Sequence, residues 1–203
     1  MRNIRATYGI ACCHTFGNHM NYSIFTGLVY ALWLIVIVYL TVGAIGVKRD
    51  TSGAIGQRLG IMFGMIAAVA LPFLPIFRFL NFTPSLMTGT IGSIICIAGW
   101  GYFVWARQSL GRNWSANVSI QEGHELVTSG PHRYLRHPMY SGGLLACIGS
   151  AIVVGGPFVF LLAILTPMFL WRVGAEDKLM EQQFRNEYPD YKERTWALIP
   201  FIW

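Results

Sequence analysis

The sequence has little charge. Asp, Glu, Lys and Arg make up only 12% of its 203 residues, whereas a soluble domain carries roughly 25%. Apolar residues account for 54% of the chain, and the mean hydropathy is +0.49. This balance argues against a soluble globular protein and indicates a membrane protein.

The chain also has few residues suited to a metal site or a disulfide framework. Two of its four cysteines, Cys96 and Cys147, fall inside apolar stretches and are expected to be small packing residues. The other two stand side by side in the stretch Cys-Cys-His at 12–14, which does not match the ligand spacing of a zinc site. We therefore expect no metal. Residues 1–21 lack the continuous apolar core of a signal peptide and are predicted to be an N-terminal tail.

Long apolar runs predict five membrane-spanning helices. A span needs about 20 mostly apolar residues, and residues 22–47, 59–80 and 88–106 each supply that length. Residues 141–171 are too long for one span and contain Gly-Gly-Pro at 155–157, which is a strong turn signal. They are predicted to form a tight helical hairpin. The expected fold is an all-α integral membrane protein with three spans in 22–106, followed by a region at 107–203 that contains the hairpin and a polar tail.

The placement of Lys and Arg predicts the orientation. With five spans, twelve of the fifteen Lys and Arg residues lie on one side, which the positive-inside rule makes the cytoplasmic side. The N-terminus is then outside and the C-terminus is cytoplasmic. The net charge of +6 follows from this topology and from attraction to anionic membrane lipid. No basic motif with interleaved aromatic residues is present, so a nucleic-acid partner is not expected.

The remaining polar residues are concentrated in two blocks, residues 109–143 and 172–203. Ionisable residues next to membrane spans are a default indication of a functional site. Because the hairpin joins the two blocks, Arg136, His137 and Tyr140 are expected to lie close to Arg172 and Glu176. Single residues of these blocks could instead be interfacial anchors, and the second block could be an amphipathic helix lying on the membrane.

Prolines and glycines predict the local structure of the blocks. Residues 124–127 are expected to be extended and residues 128–131 to form a turn. Pro138 suits the first position of a helix, and it pushes His137 towards an extended conformation. The amides at this helix start would suit an anion, and the glycines at 142 and 143 permit close approach by a ligand or a helix. In the second block, Met180, Phe184 and Tyr188 are predicted to share one helix face, with the helix ending at 189.

Four stretches, LGRNWSA, GHELVTSGP, RHPMYSG and AEDKLMEQQFRNEYPDYKERTWALIP, occur in this order within residues 109–200. Together they resemble the isoprenylcysteine carboxyl methyltransferase family, and the chain is similar in length to its short, five-span prokaryotic members. The chain departs from the family in having Glu-Asp at 176–177, where two glutamates are usual. It also has Arg185 after Phe184, where glycine is frequent.

The resemblance implies a methyltransferase catalytic region at 107–203 that binds S-adenosyl-L-methionine in a cytoplasmic pocket. The segment at 107–140 and the C-terminal helix would form the pocket. The residues carried over as cofactor contacts are His124, Leu126, Val127, Gly130, Tyr134, His137, Pro138, Tyr140, Glu176, Tyr188 and Tyr191.

The chemistry of such a transfer assigns further roles. A carboxylate acceptor has a pKa of about 3.5 to 4 and is ionised at neutral pH, so it needs orientation rather than a strong base. Arg136 and Arg172 are candidates to grip that carboxylate, and Glu176 could contact the cofactor or orient an arginine. Asn113, Trp114 and Arg194 are the candidate substrate-binding residues. A lipidic acceptor would enter sideways from the bilayer, whereas an amine or thiol acceptor would require Glu176 or His137 to take a proton.

Two other functions compete with this one. Membrane sterol reductases have a similar RHP-x-Y-x-G helix start followed by acidic residues and an aromatic tail, which would make the protein an NADPH-dependent reductase. A non-enzymatic transport or scaffold protein is the second alternative, although the chain has no internal repeat and few polar residues within its spans. The acceptor also stays open between lipidic carboxylates, small thiols and phospholipid amines, and the sequence permits an oligomer without requiring one.

Overall fold

The structure, a computed structural model, describes residues 24–43, 70, 74, 80–81, 83–111 and 125–202. Its helices are α1 (Ile24–Gly43), α2 (Leu86–Leu110), α3 (Pro138–Val154), α4 (Gly156–Gln183) and α5 (Tyr188–Arg194). A short 3-10 helix at Gly130–Arg133 precedes α3. This part of the chain contains only isolated β-bridges and no strand, so the expected all-α fold is confirmed.

Three of the described helices, α1, α2 and α4, are long and apolar enough to cross a membrane. Helices α1 and α2 coincide with the spans predicted at 22–47 and 88–106, and α3 and α4 form the arms of the predicted hairpin. The span predicted at 59–80 lies almost wholly outside the described residues, as does the tail at 1–21. The count of five spans and the sidedness of the chain therefore stay predictions.

A single glycine makes the turn between α3 and α4. Gly155 has φ 98°, a left-handed conformation that other residues rarely adopt, and it ends α3 where α4 begins. Its carbonyl oxygen accepts the first hydrogen bonds of α4, from the amides of Phe158 and Val159 at 3.1 and 3.2 Å. Pro157 lies in the first turn of α4, where its missing amide hydrogen costs nothing. The turn predicted at 155–157 is confirmed.

Glycines let α2 and α3 pack with their backbones in contact. A Cβ added to Gly99 on α2 would lie 2.8 Å from the carbonyl oxygen of Gly142 on α3. Two turns further along, a Cβ added to Gly92 would lie 2.8 Å from the carbonyl oxygen of Gly149. Small residues at such spacing allow close helix approach in membranes. The close approach expected at Gly142 is therefore made by a helix.

A buried aromatic cluster connects α1 to the other helices. Trp33 of α1 packs edge-on against Trp100 of α2, with ring centroids 4.9 Å apart, and its Nε1 donates a hydrogen bond to Ser150 of α3 at 3.0 Å. Phe158 of α4 is fully buried against the same indole, at 5.4 Å. Cys96 and Cys147 are buried in this cluster, as expected of packing residues.

The prediction for the helix at 180–188 is wrong. Helix α4 ends at Gln183, and residues 184–187 form a turn that leads into α5. Met180 therefore does not share a helix face with Phe184 and Tyr188. Proline carries no amide hydrogen and has a fixed φ, so it fits the first turn of a helix as well as it ends one. Pro189 lies in the first turn of α5 and begins a helix where the sequence suggested an end.

We expect Gly99→Val to destabilise the fold, whereas Gly101→Val, two residues further along the same helix, should not. The valine at position 99 would overlap the backbone of Ala146 and Gly142, while no residue of the described part of the chain lies within 4 Å of a Cβ at position 101. Overpacking of this kind costs about 1–3 kcal/mol or more. The unfolding midpoint of detergent-purified protein would measure the difference, and equal midpoints would contradict the backbone contact.

Candidate functional site

The stretch Arg136-His137-Pro138 is held in place by the C-terminal tail. Leu135 and Trp196 form a parallel β-bridge, in which the amide of Arg136 donates to the carbonyl oxygen of Trp196 at 2.8 Å. The amide of His137 donates to the carbonyl oxygen of Ala197 at 3.0 Å. Pro138 then begins α3, as predicted. The tail thus runs alongside the start of α3 and orients the side chains that leave it.

His137 lies between two carboxylates that are consecutive on α4. Its Nε2 is 2.7 Å from Oδ1 of Asp177, and its Nδ1 is 3.3 Å from Oε2 of Glu176. Burial alone would lower the pKa of His137, but its hydrogen bonds and charge interactions with the two carboxylates outweigh burial and raise the pKa. An imidazole donates from both ring nitrogens only when it is protonated. The contact therefore favours the charged form of His137.

The carboxylate of Glu176 accepts hydrogen bonds from both arms of the hairpin. Its Oε1 accepts a hydrogen bond from the Tyr140 hydroxyl at 2.5 Å and another from Nη2 of Arg172 at 3.0 Å. The Arg172 guanidinium also lies 5.9 Å from the centroid of the Tyr140 ring, within the range of a cation–π contact. Tyr140 stacks between His137 and Phe169. The proximity expected from the hairpin is thus found for these residues.

Asp177 completes a polar cluster with His137, Tyr140, Arg172 and Glu176, although sequence reasoning did not select it. Its side chain lies inside the structure, and the residue is only 8% exposed. Its Oδ1 accepts a hydrogen bond from the Tyr188 hydroxyl at 2.5 Å, and its Oδ2 is 3.4 Å from Nε of Arg136. Burial and this hydrogen bond raise the pKa of Tyr188. The available signal was an ionisable residue directly after Glu176, at the start of the polar end of a helix whose first part is apolar.

The side chain of Arg136 binds the C-terminal tail. Its Nη1 donates to the carbonyl oxygens of Thr195 at 2.5 Å and Lys192 at 3.1 Å, and its side chain is almost fully buried. These contacts connect the C-terminal end of α5 to the cluster. In this arrangement Arg136 positions the tail, and Arg172 is the arginine beside Tyr140 and Glu176.

A hydrogen bond between Tyr191 and His132 lies next to the polar cluster. The Tyr191 hydroxyl donates to the carbonyl oxygen of His132 at 2.6 Å, and its ring packs edge-on against Tyr188. Burial lowers the pKa of His132 to about 4, and the charge of His137 contributes to this. His132 is therefore neutral at physiological pH, and it lies close to His137, whose charged form is favoured. Sequence reasoning did not select it.

Some of the other predicted site residues lie near the polar cluster and others lie at the surface. Pro138 is buried at the start of α3, and Gly130 begins the 3-10 helix with φ 60°. Tyr134 is 56% exposed, and its carbonyl oxygen accepts a hydrogen bond from the amide of Trp196 at 3.1 Å. Arg194 is exposed and donates to the carbonyl oxygen of Asp190 on its own helix, so the structure does not bring it into the cluster.

Two predicted cofactor contacts, Leu126 and Val127, are half-buried in a segment at 125–128 that has no regular secondary structure. His124, Asn113 and Trp114 lie outside the described residues, as does the stretch at 12–14. In the described part of the chain, no group of three or more His, Cys, Asp and Glu residues is arranged to hold a metal ion.

Asp177→Asn should destabilise the protein far more than Glu181→Gln, one turn further along α4. Asp177 contacts His137, Arg136 and Tyr188 in a buried setting, where loss of one ionic partner costs about 3–5 kcal/mol. Glu181 pairs with Lys192 at the surface at 2.7 Å, and such pairs contribute roughly 0–1 kcal/mol. The unfolding midpoints of the two variants test this. Similar losses would show that Asp177 is not a structural anchor.

A family model described as phospholipid methyltransferase matches residues 87–187. A rice protein (Oryza sativa subsp. indica) named "Probable protein-S-isoprenylcysteine O-methyltransferase" is 29% identical over 116 residues, covering 55% of this chain and 61% of the rice protein. The protein-S-isoprenylcysteine O-methyltransferase of Saccharomyces cerevisiae is 28% identical over 142 residues, covering 68% of this chain and 59% of the yeast protein. The chain thus spans about three-fifths of the length of these relatives.

A solved structure is also similar. It is that of a eukaryotic intramembrane Ras methyltransferase, an isoprenylcysteine carboxyl methyltransferase, and the TM-score is 0.53. The likeness covers 76% of this chain and 55% of the other, at 22% sequence identity. At that identity the likeness shows a shared fold and nothing more.

Proposed function

We propose that this chain, which belongs to the isoprenylcysteine carboxyl methyltransferase family, is a membrane methyltransferase dependent on S-adenosyl-L-methionine. Its acceptor would be lipidic or small, with the carboxylate of an isoprenylcysteine-like molecule as the first candidate. The family membership indicated by the four sequence stretches is confirmed by the relatives, and the solved structure has a similar fold. The observation that carries the proposal is the polar cluster at the open end of the hairpin. There His137 lies between Glu176 and Asp177, beside Arg172.

The donor set of the cluster fits this cofactor. S-adenosyl-L-methionine carries an amino group, a carboxylate and a methyl group on a sulfonium, and it supplies that methyl group as the electrophile when bound. Glu176 and Asp177 offer carboxylate oxygens to its amino group. Nδ1 of His132 is buried and makes no hydrogen bond with the described residues, so this atom could form a hydrogen bond with a ligand.

The protonation of the cluster favours an acceptor that is already ionised. The two carboxylates favour the charged form of His137, and both accept hydrogen bonds from cationic or phenolic groups. His132 has a pKa of about 4 and is a weak base. None of these four groups is well suited to remove a proton at neutral pH. A carboxylate needs no such step, whereas an amine or thiol does.

Arg172 is the candidate to orient the acceptor carboxylate. It is bonded to Glu176 and lies against Tyr140, yet 18% of its side chain remains exposed. The preceding residue, Trp171, is 73% exposed on a helix long and apolar enough to cross a membrane, so the face of α4 next to that of Arg172 is expected to meet the bilayer. An acceptor with a lipid chain could reach Arg172 from that side. Arg136 would act by positioning the tail, and Glu176 by holding Arg172 and Tyr140 in register.

A phospholipid amine is the second candidate acceptor, because the matching family model is described as phospholipid methyltransferase. Such an acceptor must lose a proton before or during transfer. Glu176 or His137 would then have to be released from its present partners to take it. The two acceptors can be separated by direct assay.

The proposed cofactor is tested by calorimetry on detergent-purified protein. We expect binding of S-adenosylhomocysteine and none of NADPH. Binding of NADPH alone would replace the methyltransferase by a reductase, and binding of neither would favour the non-enzymatic alternative. Transfer of a radiolabelled methyl group from S-adenosyl-L-methionine is then compared between a prenylated cysteine analogue and phosphatidylethanolamine. Label in the prenylcysteine analogue alone is the expected result.

Arg172→Lys should lower kcat/KM for a carboxylate acceptor by roughly 10- to 100-fold, because lysine keeps the charge but loses the planar, two-pronged donor. The affinity for S-adenosylhomocysteine should change by less than about threefold. Lys178→Ala, at an exposed position of the same helix, is the control and should keep wild-type turnover. If Arg172→Lys weakened S-adenosylhomocysteine as much as it slowed turnover, Arg172 would belong to the cofactor site.

A further inference from the structure

The end of the C-terminal tail carries large apolar side chains that the described part of the chain leaves exposed. Ile199 is 51% exposed, Phe201 is 85% exposed and Ile202 is 75% exposed. They belong to one compact turn, in which the amide of Ile202 donates to the carbonyl oxygen of Ile199 at 3.2 Å. Residues 199–202 are called the tail turn below. A contiguous apolar patch of this kind marks a contact with a protein or a membrane.

The tail turn begins at the level where α4 becomes polar. Leu198, the residue before the turn, belongs to a small buried cluster with Val173 of α4 and Tyr140 of α3. Its carbonyl oxygen accepts a hydrogen bond from the hydroxyl of Ser141, in the first turn of α3, at 2.6 Å. Val173 follows Arg172, the first charged residue of α4 after its apolar run. Arginines near the ends of spanning helices reach the headgroup region, so the tail turn lies close to that region.

The backbone of Phe201 also calls for a contact outside the chain. Its φ is 66°, in the left-handed region that a bulky side chain rarely adopts. Such a conformation persists where contacts around the residue compensate for its cost. The Phe201 ring packs against Trp196, with ring centroids 4.6 Å apart, yet most of Phe201 stays exposed. Burial of the ring in an apolar medium would supply a compensating free energy.

We propose that the tail turn inserts into the boundary between headgroups and acyl chains of the membrane leaflet next to the polar cluster. The occupant of the patch is lipid, because the lipid-facing surface of α4 reaches the same level: Trp171, two residues before Val173, is 73% exposed on a helix able to cross a membrane. Apolar side chains beside a polar segment bind at this boundary. A protein partner would need about 800 Å² of surface on each side, more than four residues supply.

This insertion connects the lipid to the polar cluster. The tail turn follows closely on Trp196 and Ala197, whose carbonyl oxygens accept the amides of Arg136 and His137. A turn fixed in the leaflet limits how far this stretch can move away from the start of α3. The bilayer thereby helps to hold the segment that orients His137. The proposal concerns this contact alone and does not depend on the reaction that the site performs.

A nitroxide label at position 202 measures the depth of the turn. Ile202→Cys is made in full-length protein that also carries Cys12→Ser and Cys13→Ser, while Cys96 and Cys147 are buried and stay. The labelled protein is placed in nanodiscs of phosphatidylcholine. Power saturation of the EPR signal then compares collisions of the label with O2, which concentrates in lipid, and with a nickel–ethylenediaminediacetate complex, which stays in water.

Two further labelled positions calibrate the measurement. Glu193→Cys, exposed on α5, is the control for water, and Ile94→Cys, 60% exposed on α2, is the control for lipid. We expect the ratio of O2 to nickel collisions at Ile202→Cys to be several-fold higher than at Glu193→Cys. A ratio equal to that at Glu193→Cys would place the turn in water and overturn the proposal. Few collisions with either reagent would overturn it too, because a protein surface, such as that of a second copy, would then cover the turn.

A matched pair of substitutions tests the contribution of the aromatic ring. Phe201→Leu and Phe201→Ser are each combined with the label at 202. Leucine remains apolar and should keep the high ratio, whereas serine should lower it towards the value at Glu193→Cys. The unfolding midpoint of each labelled protein is compared with that of wild type, which separates loss of insertion from loss of the fold. An unchanged ratio in correctly folded Phe201→Ser would contradict insertion through the apolar side chains of the turn.

Discussion

The contact of His137 with Glu176 and Asp177 holds together three separate parts of the chain. His137 stands at the start of α3, and the two carboxylates are consecutive residues near the end of α4. Through Arg136, the same cluster holds the C-terminal tail. Breaking one buried ionic contact leaves the remaining charges without compensation. The order of the polar end of the hairpin therefore depends on the two carboxylate contacts of this one imidazole, and these contacts favour its charged form.

That dependence also shapes the chemistry available to the site. A histidine whose two ring nitrogens contact carboxylates that favour its charged form is a poor base. Carboxylates that bind Arg172, Tyr140 and Tyr188 are poor bases for a similar reason. The site is rich in fixed charge and poor in groups ready to exchange a proton. Such a site suits a reaction whose nucleophile arrives ionised and has only to be oriented and stripped of water. Transfer of a methyl group to a carboxylate is a reaction of that kind.

The fold could largely be predicted because membrane spans follow from local composition. Long apolar runs located α1 and α2, and the glycines and proline at 155–157 located the hairpin turn. Topology then predicted that His137 and Tyr140 meet Glu176, because a hairpin returns its two ends to the same side. Asp177 and His132 were not selected, since their importance comes from burial and from partners that are distant in the sequence. Pro189 was misread because proline is equally suited to stop one helix and to begin the next.

The sequence by itself determined the all-helical membrane architecture, the position of the hairpin and the two polar blocks at its open end. Each of these follows from hydrophobicity and from backbone limits of glycine and proline, which act within a few residues. Only the tertiary structure decided the division of labour within the cluster. Arg136 faces the tail and Arg172 faces Tyr140, although the two arginines look alike in the sequence. Hydrogen bonds and buried charges are set by distances of a few ångströms between remote residues, and local composition carries no record of those distances.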